Sequence, residues 1–336
     1  MNQFLPLLLD PFVDGRWGAG GPTGGPALAY ASDQAVSLSA NARAYSAIVS
    51  NTPSLAAVPQ RWTAWGSAYG GSNTSSGDAT MGSTNVTAQT YGVAAGADYH
   101  LAPGALVGFA LGGGGASWGL QNGMGSGDGQ AFQAGVYGIT RSGPAYLAGA
   151  LGFANNWFTT HRNAVGDDLS ANFTGQSYGG RLEAGYRYAA LTTLGLTPYG
   201  ALQAQAFRTP SYSETNVAGG GFGLNYAANS ASDVRTELGA RIDSAQMVSG
   251  LPLVLRARLA WAHDFVDNPS LNATFQTLPG TSFTVDGAPI RHDSALATVG
   301  ADLSISRNLT LLMKFDGDFG AGSQTYAGSG TLRLSW

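Results

Sequence analysis

VRTELGARID, running from Val234 to Asp243, places Val234, Thr236, Leu238, Ala240 and Ile242 on one parity and Arg235, Glu237, Arg241 and Asp243 on the other. Successive side chains of an extended chain point to opposite faces, so this stretch is a strand with one apolar and one charged face. The alternation recurs on both sides of it. Leu253, Leu255, Ala257, Leu259 and Trp261 oppose Arg256 and Arg258, and Tyr178, Leu182, Ala184, Tyr186 and Tyr188 oppose Arg181, Glu183 and Arg187. Further on, Leu309, Leu311, Met313, Phe315 and Phe319 oppose Lys314, Asp316 and Asp318. A soluble sandwich also alternates, so period two alone leaves both fold classes open. The charged face separates them. It carries clustered Arg and Glu with glycine between, as a narrow hydrated lumen needs, while the apolar face continues from one strand to the next.

Composition points the same way. Only 11% of the 336 residues are charged, against about 25% in a soluble globular protein. Fifty glycines and a 10% aromatic fraction take the place of the usual Lys/Glu coat, a mixture suited to a lipid-facing β surface with aromatic girdles. The mean hydropathy is near zero, and no run of about 18 apolar residues occurs, so a bilayer would have to be crossed by strands. Strands in lipid must close into a barrel, because an open edge would leave backbone groups without partners. Cysteine is absent and the net charge is -4 with no basic stripe, so neither disulfides nor a nucleic-acid partner is expected. Leu5 to Leu9 is too short for a signal peptide, is interrupted by Pro6 and follows no basic residue. An export signal upstream of Met1 is therefore expected.

The chain divides at about residue 60. Residues 1–60 read as a linker and helix segment, in which Ala35, Leu38, Ala42, Tyr45 and Val49 fall at helical intervals within Ala27–Val49, with Asp33 near its start as a cap. Residues 61–336 read as the barrel. About twelve alternating segments begin near Arg61, Val86, Gly104, Gln130, Ala145, Gly175, Leu196, Ser232, Leu251, Ser294, Asn308 and Thr325. Long polar connections (Gly71–Asn85, Gly119–Gly129, His161–Thr174, Thr209–Asn229, Val266–Asp293) alternate with tight turns at Leu101–Pro103, Ser142–Pro144, Val248–Gly250 and Ser306–Arg307. Long loops on one side and short turns on the other describe an all-β, antiparallel up-and-down transmembrane barrel of the outer membrane, with the short turns periplasmic.

In these residues the chain resembles the C-terminal β-domain of autotransporters, the translocators of type V secretion. The resemblance rests on Arg61, Trp62, Trp65 and Gly66, on TYGVAAGADYHLAPGALVGFALG (Thr90–Gly112), QAFQAGVYG (Gln130–Gly138), LTPYGALQ (Leu196–Gln203) and RTELGARI (Arg235–Ile242). It continues through SFTVDGAPIRHDSALATVGADLS (Ser282–Ser304) and KFDGDFG (Lys314–Gly320), while FLPLLLDPFVDGR (Phe4–Arg16) is similar to the segment that precedes the barrel in one branch of the family. Trp336, with Leu334, Leu332 and Tyr326 on its parity and Arg333 and Thr331 opposite, resembles the terminal aromatic signal read by the barrel-assembly machinery; an ordinary girdle tryptophan is the alternative. The resemblance implies a monomeric barrel in the outer membrane of a Gram-negative bacterium that exports its own N-terminal passenger. Outer-membrane lipid, the barrel-assembly machinery and periplasmic chaperones are the implied partners. It also implies that Ala27–Val49 sits inside the pore, with a periplasmic linker helix as the alternative; no asparagine pair for intrabarrel cleavage occurs before Arg61.

The lumen-facing residues are expected to be Arg181, Glu183, Arg187, Arg235, Glu237, Arg241, Arg256, Arg258, Lys314, Asp316 and Arg333. No catalytic, cofactor or metal site is expected. Gly175, Ser177 and Gly179 match the hydrolase pattern G-x-S-x-G, but the flanking alternation denies the serine its strand-turn-helix elbow. His100, His161, His263 and His292 have no metal-ligand spacing, and Asp316 with Asp318 makes too few ligands for a divalent cation. The run Gly112–Gly115 lacks a following lysine and helix for phosphate binding, and would instead ease close packing on a helix inside the pore. A passenger-less outer-membrane porin or another outer-membrane β-barrel protein is the alternative function.

Overall fold

In this computed structural model, residues 1, 3–11, 61–78, 82–102, 104–189, 194–216, 220–266, 270–286 and 291–336 are described. Twelve long strands form the wall: β1 (Trp62–Ser75), β2 (Val86–Ala102), β3 (Ala105–Leu120), β4 (Gly125–Ser142), β5 (Ala145–Ala164), β6 (Asp167–Tyr186), β7 (Leu194–Thr209), β8 (Asn229–Val248), β9 (Leu251–Phe265), β10 (Asp293–Ser304), β11 (Leu309–Gly320) and β12 (Ser323–Ser335). Each pairs antiparallel with its neighbours in sequence. The wall closes where β1 meets β12, in register from Thr63 opposite Ser335 to Ser75 opposite Ser323. The backbones of Trp62 and Trp336 bond each other at the end of this seam.

The faces follow parity. Leu238 and Leu259 are 61% and 71% exposed, whereas Arg181, Glu237 and Arg241 are at most 5% exposed. A protein that turns its leucines outward and its charges inward is solvated by hydrocarbon.

The outer ends of the wall extend further than the alternation indicated. Gly119–Gly129 and His161–Thr174 are largely ladder, not long loops. β4 begins at Gly125 and β6 at Asp167, and the connections shrink to Gln121–Met124 and Val165–Gly166. Val165 and Gly166 both have positive φ, 50° and 92°, as a two-residue hairpin turn between twisted strands requires. Beyond the hydrocarbon no apolar face is needed, so the period-two signal fades although backbone pairing continues. At 20 residues each, β5 and β6 far exceed the roughly 9–11 that cross a bilayer. Of the three remaining long connections, Thr209–Asn229 and Val266–Asp293 join in a second sheet, formed by Tyr212–Ser213, Leu224–Tyr226, Ser270–Phe275 and Ser282–Asp286. Its anchor is Glu214, which accepts bonds of 2.9 and 2.6 Å from Arg162 of β5.

Among the described residues, one helix lies inside the wall, α1 (Phe4–Pro11). Proline is tolerated in its first turn, where the amide would have no helical partner anyway. The helix expected at Ala27–Val49 lies outside the described residues. The sequence does not announce α1, because its apolar residues Phe4, Leu5, Leu7, Leu8 and Leu9 are all buried and such a short run shows no amphipathic period.

Candidate functional site

The lumen has two unlike walls. On β6, β8, β9, β10 and β11 it is charged. Arg181 donates to both oxygens of Glu237 at 2.8 Å and to Glu183 at 2.9 Å. Arg241 pairs with Glu183 at 2.7 Å, donates to the Tyr146 hydroxyl at 2.8 Å and lies 3.7 Å from the centre of the Tyr199 ring. Arg258 bonds Thr298 at 2.9 Å and faces Asp316 at 3.4 Å, while Lys314 holds Asp316 at 3.1 Å. Arg235 grips Asp264 at 2.7 and 2.9 Å and also reaches Asp318 at 3.1 Å, which ties β8 to β11. Arg256 pairs with Asp302 and Arg187 with Asp243, each at 2.6 Å. Arg333 is half-buried beside the buried Thr331. Charge-assisted, often two-pronged bonds of this kind are what make so many ions tolerable away from bulk water.

Toward the end that carries the short turns, polar aromatics fill the lumen. Trp65 donates to the Tyr137 hydroxyl at 2.7 Å, and that hydroxyl donates to the fully buried Asp98. Period two puts Asp98, Asp264 and Asp302 on the inner parity, but nothing in the sequence says that Asp98 meets Tyr137, Asp264 Arg235 and Asp302 Arg256. Tyr146 and Tyr199 carry no such signal either, since aromatics occupy both faces of the wall.

Midway along β4, β5 and β6 the inner face is bare. Gly135 of β4 stands opposite Gly152 of β5, and Gly152 opposite Gly179 of β6. α1 lies against this row, with Phe4, Leu5 and Leu8 fully buried and Leu7 and Leu9 nearly so. Gly112 of β3 is in contact range too, since a Cβ there would lie 3.4 Å from Phe4. Between helix and charged wall a cavity of about 650 Å³ remains, lined among others by Gln3, Tyr69, Gln133, Arg235, Lys314 and Asp318.

The other motifs fall in ordinary places. Ser177 sits within the uninterrupted β6 and accepts a bond from Asn156 at 3.2 Å. His263 bonds Asp293 at 2.9 Å on the outer rim beside Trp261. Among the described residues no group of three potential ligands is placed to hold a metal ion. Trp336, Leu334, Leu332 and Tyr326 are exposed on the outer face of the β12 end of the seam.

Residues 64–316 match the autotransporter beta-domain family. The chain belongs to that family. It is therefore an outer-membrane β-barrel of a Gram-negative bacterium, in the translocator class of autotransporter barrels. The fold is similar to the translocator domain of the autotransporter NalP from Neisseria meningitidis, at 14% identity and TM-score 0.66, with 88% of this chain and 95% of that one covered. It is similar also to the beta domain of the Bordetella autotransporter BrkA, at 15% identity and TM-score 0.63, with 82% and 100% covered. Two extracellular serine proteases of Serratia marcescens are 26% and 25% identical over 77% of this chain. The chain spans 24% of the length of each of these relatives.

Proposed function

We propose that this barrel anchors and exports an N-terminal passenger, with residues 1–60 as the segment that threads the lumen and residues 61–336 as the translocator. The observation that carries this reading is α1: polypeptide from the N-terminal side of the wall occupies the inside of the barrel, where an exported chain would run. A closed wall supplies no catalytic chemistry for this task, and none is invoked. The inward ions Arg181, Glu183, Arg187, Arg235, Glu237, Arg241, Arg256, Arg258, Lys314, Asp316 and Arg333 keep the passage hydrated and rigid in this reading. Trp336, with Leu334, Leu332 and Tyr326, is the surface offered to the barrel-assembly machinery, after periplasmic chaperones have delivered the monomer.

The test joins an export signal and an epitope-tagged reporter ahead of Met1 in a Gram-negative host. Antibody and external protease should reach the tag on intact cells while the barrel stays membrane-bound. A tag that remains periplasmic, on cells whose barrel is folded, would overturn export and leave a channel function. Trp336→Ala should lower the folded fraction in cells yet leave refolding in detergent unchanged; equal refolding defects would make Trp336 an ordinary girdle residue.

A further inference from the structure

We infer that the row Gly135–Gly152–Gly179 is a receptor site for the apolar helix Phe4–Pro11, one that holds it without needing the covalent link between them. The first observation is fit. A Cβ at Gly135 would stand 2.6 Å from Leu8 and 3.1 Å from Phe4. At Gly152 it would stand 3.1 Å from both Leu5 and Met1, and at Gly179 2.9 Å from Leu5 and 3.1 Å from Met1. At 2.6 and 2.9 Å the Leu8 and Leu5 side chains would have to shift, and at 3.1 Å Phe4, Leu5 and Met1 would have to give by a few tenths of an ångström, so on three adjacent strands the wall carries no side chain at the places the helix fills. The register makes those three positions one continuous trough, extended on one side by the buried Ala110, which stands opposite Gly135.

The second observation is the chemistry of the occupant. Its buried side chains are Phe and Leu, the largest aliphatic and aromatic surfaces set against the smallest residue. A bare trough suits a bulky helix; an alanine-rich one would leave gaps on both sides and lose the dispersion contacts. The site therefore discriminates between the two segments of the N-terminal region, favouring Phe4–Pro11 over the alanine-rich Ala27–Val49.

The third is distance along the chain. Residues 12–61 separate α1 from the first strand, so the helix reaches its seat as a tethered ligand and not as a continuation of the wall. A tether raises local concentration but adds no contact. Cutting between helix and wall should consequently leave whatever polypeptide is joined ahead of Phe4 bound to the barrel. This goes beyond export: it concerns retention, and it stands whether or not a passenger is carried.

A protease site inserted between Gly20 and Gly21 is cut on the unfolded chain, and the two pieces are refolded together in detergent. After gel filtration, mass spectrometry of the barrel peak should find the N-terminal piece in near-equal amount. In Leu5→Asp/Leu8→Asp, which leaves the wall untouched, at least tenfold less of the piece should co-elute. Gly152→Leu should release it from the wall side, with heat-modifiable gel mobility reporting that the barrel has folded; if that variant does not fold, the helix variant decides. Separation of the piece from the unsubstituted barrel, or equal retention in Leu5→Asp/Leu8→Asp, would overturn the inference.

Discussion

Arg181 on β6 reaches past β7 to hold both carboxylate oxygens of Glu237 on β8, each at 2.8 Å, with both side chains almost wholly buried. Removing one partner of such a pair strands a charge where water cannot reach it, at about 3–5 kcal/mol. Arg181→Met should therefore shift the urea unfolding of the refolded barrel to lower denaturant. Arg181→Met/Glu237→Met should lose less than the sum of the two single changes, because Glu183 keeps its 2.7 Å pair with Arg241. Additive losses would mean that the pair carries no coupling and that its residues act separately.

The two faces of the wall can be told apart by one kind of substitution. Arginine at a lipid-facing midplane position costs about 2–4 kcal/mol, whereas a lumen position tolerates charge. Leu238, exposed to lipid, and Ala131, which lines the cavity, make the comparison. Gly239 has the inner parity but is a poor control, since its Cβ would come within 2.4 Å of the Ala260 Cβ. Leu238→Arg should sharply reduce the fraction that assembles in vesicles, and Ala131→Arg should leave it near the parent level. Equal losses would mean that parity does not sort lipid from lumen.

Strand parity makes most of the wall legible in the sequence, because lipid and lumen impose opposite demands on alternate residues. The starts of β2, β5 and β9 at Val86, Ala145 and Leu251 coincide with the first residues of their alternating segments. Where hydrocarbon ends the demand ends too, which is why Asp167–Thr174 reads as loop yet pairs with β5. The inner site was only half legible. Inward arginines announce themselves by breaking an apolar alternation, but their partners depend on the twist and stagger of the closed wall, as with Arg235 and Asp318, 83 positions apart. The glycines of the trough were legible as small residues, while their register across three strands was not. G-x-S-x-G at Gly175–Gly179 shows the hazard of reading spacing without context: Gly179 serves the helix seat, and Ser177 is one more strand residue.

Closure has its own consequence. With β1 and β12 paired over their whole length, no edge is free to unzip in detergent, so the barrel should resist SDS until heated. Unboiled and boiled samples should migrate differently, with a β-type circular dichroism spectrum before heating. Identical mobility would count against a closed wall. Charge at the seam should weaken this resistance: Thr331→Glu, at a buried position whose hydroxyl bonds Ser67 at 2.9 Å, should lower the temperature of the mobility change.

Conductance reads the lumen directly. A helix about 10 Å across takes up much of a barrel of this strand number, and here α1 leaves a cavity of about 650 Å³ beside the charged wall. Deleting residues 1–11 removes the helix but no strand, so the barrel should still fold and its single-channel conductance in planar bilayers should rise several-fold. The same deletion should destabilise. Phe4, Leu5, Leu7, Leu8 and Leu9 are all buried, and each such side chain contributes roughly 1.5–3 kcal/mol before the ordering of the helix is offset. Leu8→Asp should produce a smaller rise in conductance and an earlier unfolding midpoint, since it loosens the helix without removing it. If the deletion leaves conductance unchanged, α1 does not set the pore width and contributes stability only.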